Sequence, residues 1–308
     1  MQSFDELRRE AEETKERLRR DVLELHDILK RIAREGGEHG RAIAEESLRQ
    51  AETRIEEAVS QAETRLESAL AAVTGCNLSY EDFITRNLSF TDFTSIEVDC
   101  AFRVEVTRSE QYKVSVWASE ELQDYVSAVK SGNTLKLSLK SGSYHARPVV
   151  NIKISMPQLS KLRLGAATKG TVRGFVSREN LDLNLSGNCS LDVEMTAGAI
   201  KCEISGASRL TGKMQVIDAE FVLSGASRTA LSGQAERATV SAWGASQVEM
   251  NRFPVKDASL HLKGASEAAI AATGMLDIDL SSGSRLTYTG NPTIRSISVT
   301  GASSLDSR

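Results

Sequence analysis

Ser205-Gly206-Ala207-Ser208 and Ser224-Gly225-Ala226-Ser227 are the same four residues nineteen positions apart, and that recurrence decides the fold. With its first residue varied, the phrase returns as Trp243-Gly244-Ala245-Ser246, Lys263-Gly264-Ala265-Ser266 and Thr300-Gly301-Ala302-Ser303. It decays to Ala166-Ala167-Thr168, Gly187-Asn188-Cys189 and Ser282-Gly283-Ser284. Aligned on the glycine, the copies fall at 166, 187, 206, 225, 244, 264, 282 and 301, at intervals of 21, 19, 19, 19, 20, 18 and 19. A period that steady over half a chain marks a solenoid, in which each repeat buries its apolar face only against its neighbours.

Each period reads as strand, Gly-centred turn, strand and looser turn. Before the turn, Leu181, Leu183 and Leu185 align with Ile200, Cys202 and Ile204, then with Ala219, Phe221 and Leu223. The same columns continue through Ala238, Val240 and Ala242, then Ala258, Leu260 and Leu262, then Leu276, Ile278 and Leu280. After the turn, Val193, Leu231, Met250, Ile270 and Tyr288 fill a second inward row. Nineteen residues divide into two short strands and two turns, which predicts a flattened, parallel two-sheet β-helix. At about 4.8 Å per rung the repeats make a body of roughly 34 Å. Glycine admits positive φ at the corner. Ser208, Ser227, Ser246, Ser266, Ser284 and Ser303 then form a corner ladder, where hydroxyls satisfy backbone groups that the turn leaves free.

Ahead of the repeats the chain changes character twice. Residues 1–74 hold 18 acids and 13 bases, and the remainder holds 24 and 25, so charge alone sets a boundary near residue 75. Phe4, Leu7, Ala11, Leu18, Leu25, Ile28 and Ile32 lie at heptad spacing, with Glu and Arg on the other faces. Glycines at 36, 37 and 40 interrupt that stripe, and a second runs from Leu48 to Val73. Residues 1–75 are therefore expected to be an α-helical segment, either an antiparallel hairpin or a coiled-coil stalk that joins copies into a homo-oligomer. Residues 76–308 form the β domain, with starting and capping strands over 85–160 and the repeats over 161–308. In the starting block Ile96, Val98, Cys100, Phe102, Val104 and Val106 alternate with polar residues, as strands with one buried face do. Leu135 to Leu139 and Val150 to Met156 are further strands, Ser131-Gly132-Asn133 and Ser141-Gly142-Ser143 are turns, and Ser119 is the N-cap of a short helix. This block is expected to cover the open end of the solenoid.

Net charge of −4 argues against a nucleic-acid partner, which requires a concentrated basic face. No run approaches the roughly 20 apolar residues of a transmembrane helix. Nothing near Met1 reads as a signal peptide, because the first 35 residues are dense in charge. Leu70 to Cys76 is similar to the lipobox of bacterial lipoproteins, but the region upstream is too charged to act as a secretion core.

The starting phrase Phe93-Thr94-Ser95-Ile96-Glu97-Val98, followed by about eight small Gly/Ser turns, resembles the GIN-type head domain of putative auto-transporter adhesins. Ser205 to Leu210, echoed at Ser282 to Leu286, carries the likeness, which spans about residues 85–308. The resemblance implies a pectin-lyase-like β-helix, no known catalytic residues, and adhesion at the bacterial surface through a glycan or protein ligand.

Chemistry is sparse. One outward row reads Asp182, Lys201, Glu220, Thr239, Ser259 and Asp277, with alternating charges that pair across rungs. The next reads Asn184, Glu203, Val222, Ser241, His261 and Asp279. There His261 beside Asp279 is the nearest approach to a catalytic dyad, and no aligned nucleophile joins it. His26, His39 and His145 are isolated, and Cys76, Cys100, Cys189 and Cys202 are too widely spaced for a metal framework. No nucleotide, flavin or nucleophile-elbow motif is present, so no cofactor is expected. Three residues past the turn glycine, Arg209 and Arg228 should sit on adjacent rungs, where like charges call for an anionic partner. These two are the candidate ligand-binding residues. The expected function is non-enzymatic binding, against two alternatives: a carbohydrate-active enzyme on the same fold, or a self-assembly module.

Overall fold

The structure, a computed structural model, describes residues 83–140 and 149–308. The helical segment expected over residues 1–75, Cys76 and its lipobox-like stretch, His26, His39, His145 and the Ser141-Gly142-Ser143 turn lie outside the described residues.

The starting block builds two coils and their lid. After β1 (Phe83–Leu88) come β2 (Ser95–Val98) and β3 (Arg103–Arg108). The alternation from Ile96 to Val106 looks continuous in sequence, but the chain turns a corner at residues 99–102. Thr168 of the next coil ties that corner down, donating its hydroxyl to the Cys100 carbonyl and, at 2.8 Å, to the Gly165 carbonyl. Then follow β4 (Lys113–Ser119), the short helix α1 (Glu120–Gln123) and β5 (Val126–Ser131). Ser119 does occupy the N-cap position, yet its side chain makes no capping bond. β6 (Thr134–Leu139) and β7 (Val150–Met156) complete a second coil.

The order of these coils in space is not their order in sequence. β6 and β7 lie parallel to β2 and β3 on one side. On the other side, β2 and β3 receive β8 (Lys161–Leu164) and β9 (Lys169–Val176). The first coil is thus sandwiched between the second and the third. Beyond β6 and β7, the strands β5 and β4 pair antiparallel and close both sheets. Over this end α1 drops Leu122 into the core, and Gln123 donates to the carbonyls of Ile84 and Val116 at 2.8 and 3.2 Å.

From Lys161 the solenoid is regular, with about eight turns of about 19 residues. One sheet continues through β10 (Leu181–Leu185) and β12 (Ala199–Ile204), the other through β11 (Ser190–Thr196). β13 (Arg209–Leu223), β14 (Arg228–Gly244) and β15 (Gln247–Gly264) each run through both sheets. β16 (Glu267–Ala272), β17 (Met275–Ser281), β18 (Arg285–Thr289), β19 (Thr293–Val299) and β20 (Ser304–Ser307) finish the stack.

The inward columns expected from the repeat stand in register: Leu181 pairs with Ile200, then Ala219, Ala238, Ala258 and Leu276. All are buried, as are Val193, Leu231, Met250 and Ile270 of the second row. Each fully buried Leu or Ile stabilises the fold by about 1.5–3 kcal/mol relative to exposure.

Candidate functional site

The tetrapeptide corner must be understood before any function is sought in it. All eight aligned positions have positive φ, including the two that lost glycine, Ala166 at 59° and Ser282 at 61°. At Gly225 the φ of 75° is joined by a close approach: a Cβ there would lie 2.7 Å from the Gly206 carbonyl oxygen of the rung before. That carbonyl accepts from the Ala226 amide at 2.8 Å, and the Gly225 carbonyl accepts from Ala245 at 2.8 Å. The corner is thus a stack of short inter-rung hydrogen bonds that a side chain would prise apart.

The serines behave as a ladder. Ser208, Ser227, Ser246, Ser266 and Ser284 are all buried. Ser246 donates to the Trp243 carbonyl at 2.9 Å and Ser266 to the Lys263 carbonyl at 2.8 Å, three residues back in each case. Ser227 donates to Ser224 in the same way and reaches the Ile204 carbonyl of the previous rung at 3.1 Å. Cys189 holds the equivalent place, with its thiol 3.1 Å from the Ser186 carbonyl. Burial pushes the Cys189 and Cys202 thiols up from the ordinary 9.0, so both are poor nucleophiles. A buried hydroxyl already committed to a carbonyl cannot bind a ligand, and these residues serve the fold.

One residue further on, Arg209 and Arg228 stand in register on adjacent strands, both exposed. Four other surface arginines find carboxylates one rung away. Arg173 pairs with Asp192, Arg237 with Asp218 at 2.5 Å, Arg285 with Glu267 at 3.8 Å, and Arg295 with Asp277. Arg209 and Arg228 instead face each other, between Ser190 and Gln247, and their side chains have no acidic partner among the described residues. Their row continues towards the capped end through Lys169 and Arg103. The two arginines that the repeat singled out are therefore brought together.

The outward rows also stand as expected, and Asp182, Lys201 and Glu220 are consecutive. Lys201 lies 3.2 Å from Glu203 and 3.9 Å from Glu220. The Glu203 hydrogen bond, seconded by the Glu220 charge, raises its pKa. In the next row the structure adds what the sequence columns missed. Ser259, two residues before His261 on the same strand, places Oγ 3.3 Å from His261 Nε2, while Nδ1 lies 3.8 Å from Asp279 Oδ2. The order is that of a nucleophile, base and orienting acid. The Asp279 contact is too long for a hydrogen bond, and the His261 and Asp279 side chains are 53% and 58% exposed. Strand amides around them are engaged in the inter-rung ladder, which leaves no pair of N–H groups to receive an oxyanion. A simple pattern, two residues apart on one strand, would have found Ser259, because both side chains point outward.

The fold and these flanks define a parallel β-solenoid whose polar groups sit on a water-exposed outer wall. The chain belongs to the family described as "Putative auto-transporter adhesin, head GIN domain", whose model matches residues 92–292. Among curated proteins none matches it. Three solved structures share the fold. A putative lipid binding protein from Parabacteroides distasonis is 21% identical with a TM-score of 0.70, over 74% of this chain and 98% of that one. A putative adhesin from Parabacteroides merdae is 16% identical with a TM-score of 0.70, over 74% and 97%. A putative adhesin from Parabacteroides distasonis is 15% identical with a TM-score of 0.70, over 73% and 97%. No helix among the described residues is long and apolar enough to cross a membrane.

Proposed function

We propose that this chain is a non-enzymatic binding module of adhesion type that works outside the cytoplasm and holds an anionic surface polymer, such as a carboxylated or sulfated glycan, against its flank. The observation that carries this reading is the Arg209–Arg228 pair. Two exposed arginines in register on adjacent rungs, without the carboxylate that Arg173, Arg237, Arg285 and Arg295 each have, offer paired cationic donors to an anionic group. The family description supports a surface role. The putative lipid binding protein shares 21% identity with this chain, and that likeness concerns the fold alone.

The alternatives fare less well on physical grounds. A carbohydrate-active enzyme needs a positioned acid and base. The carboxylates beside Lys201 are engaged with its ammonium, and His261 is solvated. A filament needs two open ends, and reversed strands close one of them.

Calorimetry against polygalacturonate, dextran sulfate and uncharged dextran tests the reading. Binding should be confined to the charged polymers and weaken as salt rises. Arg209→Ala with Arg228→Ala should reduce affinity by about tenfold or more. Unchanged binding in the double variant would sink the proposal, and so would release of new reducing ends from either polymer. Antibody labelling of intact cells checks the location, and labelling only after lysis would place the protein elsewhere.

A further inference from the structure

Trp243 is the one position in the tetrapeptide series where a large aromatic residue replaces the leading Ser, Lys or Thr. It stands 45% exposed, whereas the chain's other tryptophan, Trp117, is 7% exposed. The fold does not ask for it, because Ser205 and Ser224 occupy the same outward place in the two preceding repeats. Among the described residues no aromatic ring stacks on Trp243 and its indole N–H has no acceptor. Keeping an indole face in water forgoes the burial that a large aromatic side chain otherwise gains.

The surroundings supply the rest of a site. Trp243 pairs in register with Lys263, and Lys263 with Ser281. One outward position away, Ser241, His261 and Asp279 form a second row over the same three rungs. Together they line one shallow groove. Its apolar element is a flat ring, and its polar elements are hydroxyls, an imidazole, a carboxylate and an ammonium, all within two rung steps or about 10 Å. That combination suits a ligand with one apolar face and a rim of hydroxyls. A pyranose ring carries axial C–H bonds on its faces, which meet the negative face of an indole, and its equatorial hydroxyls reach side chains around it.

From the exposed indole and its polar rim we infer that the groove of Trp243, His261, Lys263 and Asp279 is a binding subsite for a neutral pyranose residue of a glycan. Trp243 is the stacking platform. Asp279 and His261 accept from, and donate to, adjacent ring hydroxyls, and Lys263 donates to a hydroxyl or ring oxygen. The exposure and order of Ser259, His261 and Asp279 have a use in this arrangement as a hydrogen-bonding rim. The inference uses different residues and a different contact from the arginine pair, and so stands apart from that reading.

The test is titration of the full chain with cellohexaose, xylohexaose, maltohexaose and chitohexaose, followed by tryptophan fluorescence for the native chain and by calorimetry for the native chain and every variant. At least one should shift the emission of the exposed indole and saturate. Trp243→Ser, which copies the preceding rung and leaves the far-ultraviolet circular dichroism unchanged, should weaken that binding by about tenfold or more. Asp279→Asn should weaken it several-fold, and Arg209→Ala with Arg228→Ala should leave it unchanged. The idea is overturned if no oligosaccharide perturbs the emission up to millimolar concentration. It is equally overturned if Trp243→Ser binds as tightly as the native chain, or if a proline-rich peptide saturates the groove and no sugar does. Loss of polyanion binding in the arginine variant with sugar binding intact separates the two sites.

Discussion

The two ends of the solenoid are built on opposite plans. At the start, β4 and β5 reverse direction and satisfy the outer edges of β7 and β6, and α1 lies across the core. At the finish, β19 pairs only with β17 and β20 only with β18 among the described residues. The inward columns run to the last rung, but there Ile294, Ile297 and Val299 remain 40%, 56% and 40% exposed. A rung in a stack draws half its burial from each neighbour, so an end rung without a lid keeps only half of what its sequence is patterned for. Whatever the repeat encodes, stability is carried by the closed end and the middle.

The largest expected consequence is a contrast in truncation cost. Leu135→Ala, in the rung beneath β5, should lower unfolding stability by about 2–5 kcal/mol, because a fully buried side chain leaves a cavity. Ile297→Ala, the same kind of change at the open end, should cost about 1 kcal/mol or less. Urea midpoints compare them, and equal losses would mean that the last rung is covered in solution. Next in size is the ladder. Ser227→Ala takes the hydroxyl donor from the Ser224 carbonyl and the second of two donors from the Ile204 carbonyl, and should cost about 1–2 kcal/mol, whereas Ser303→Ala, at the half-open final corner, should cost less.

A smaller change of opposite sign is expected in the middle. Thr229 is buried in the inward row between Leu210 and Val248, and among the described residues its hydroxyl has no hydrogen-bond partner. Thr229→Val should raise stability by about 1 kcal/mol, since it replaces an unpaired buried hydroxyl with a methyl group of similar size. A lower melting temperature in the variant would show that the hydroxyl is bonded after all.

The smallest effect concerns the open end's only clip of this kind among the described residues. Hydrogen bonds from Arg295 and Ser296 hold the Asp277 carboxyl below its ordinary value of 3.8. A folded pKa below the unfolded one contributes stability above the unfolded value, and that contribution is lost as pH falls through the folded value. The difference in urea midpoint between the native chain and Arg295→Ala should therefore shrink between about pH 6 and about pH 3. A difference that stays constant over that range would dissociate the clip from the carboxylate.

Much of this architecture is legible in the chain because of how a solenoid is made. Residues one period apart are neighbours in space, so aligning the repeat is already a contact map. Leu181 above Ile200, Arg209 beside Arg228 and His261 beside Asp279 all follow from counting. Ser259 and Trp243 are also countable, but they do not emerge from columns compared across rungs. They emerge only along one strand, or within the tetrapeptide's variable first place.

Rung length, inward rows, the corner and its hydroxyl ladder can all be read from the chain alone, since each depends on residues at a fixed short spacing. The order of the coils, with the first between the second and third, is visible only in the folded chain, as is the closing of one end by reversed strands where the other has none among the described residues. Those pairings join segments separated by long stretches of chain with no repeated phrase to align. Their only signature is the fit of the folded surfaces. The surface charges fall on the countable side: Arg173, Arg237 and Arg295 each lie one period from the aspartate they pair with, while Arg209 and Arg228 lie one period from each other.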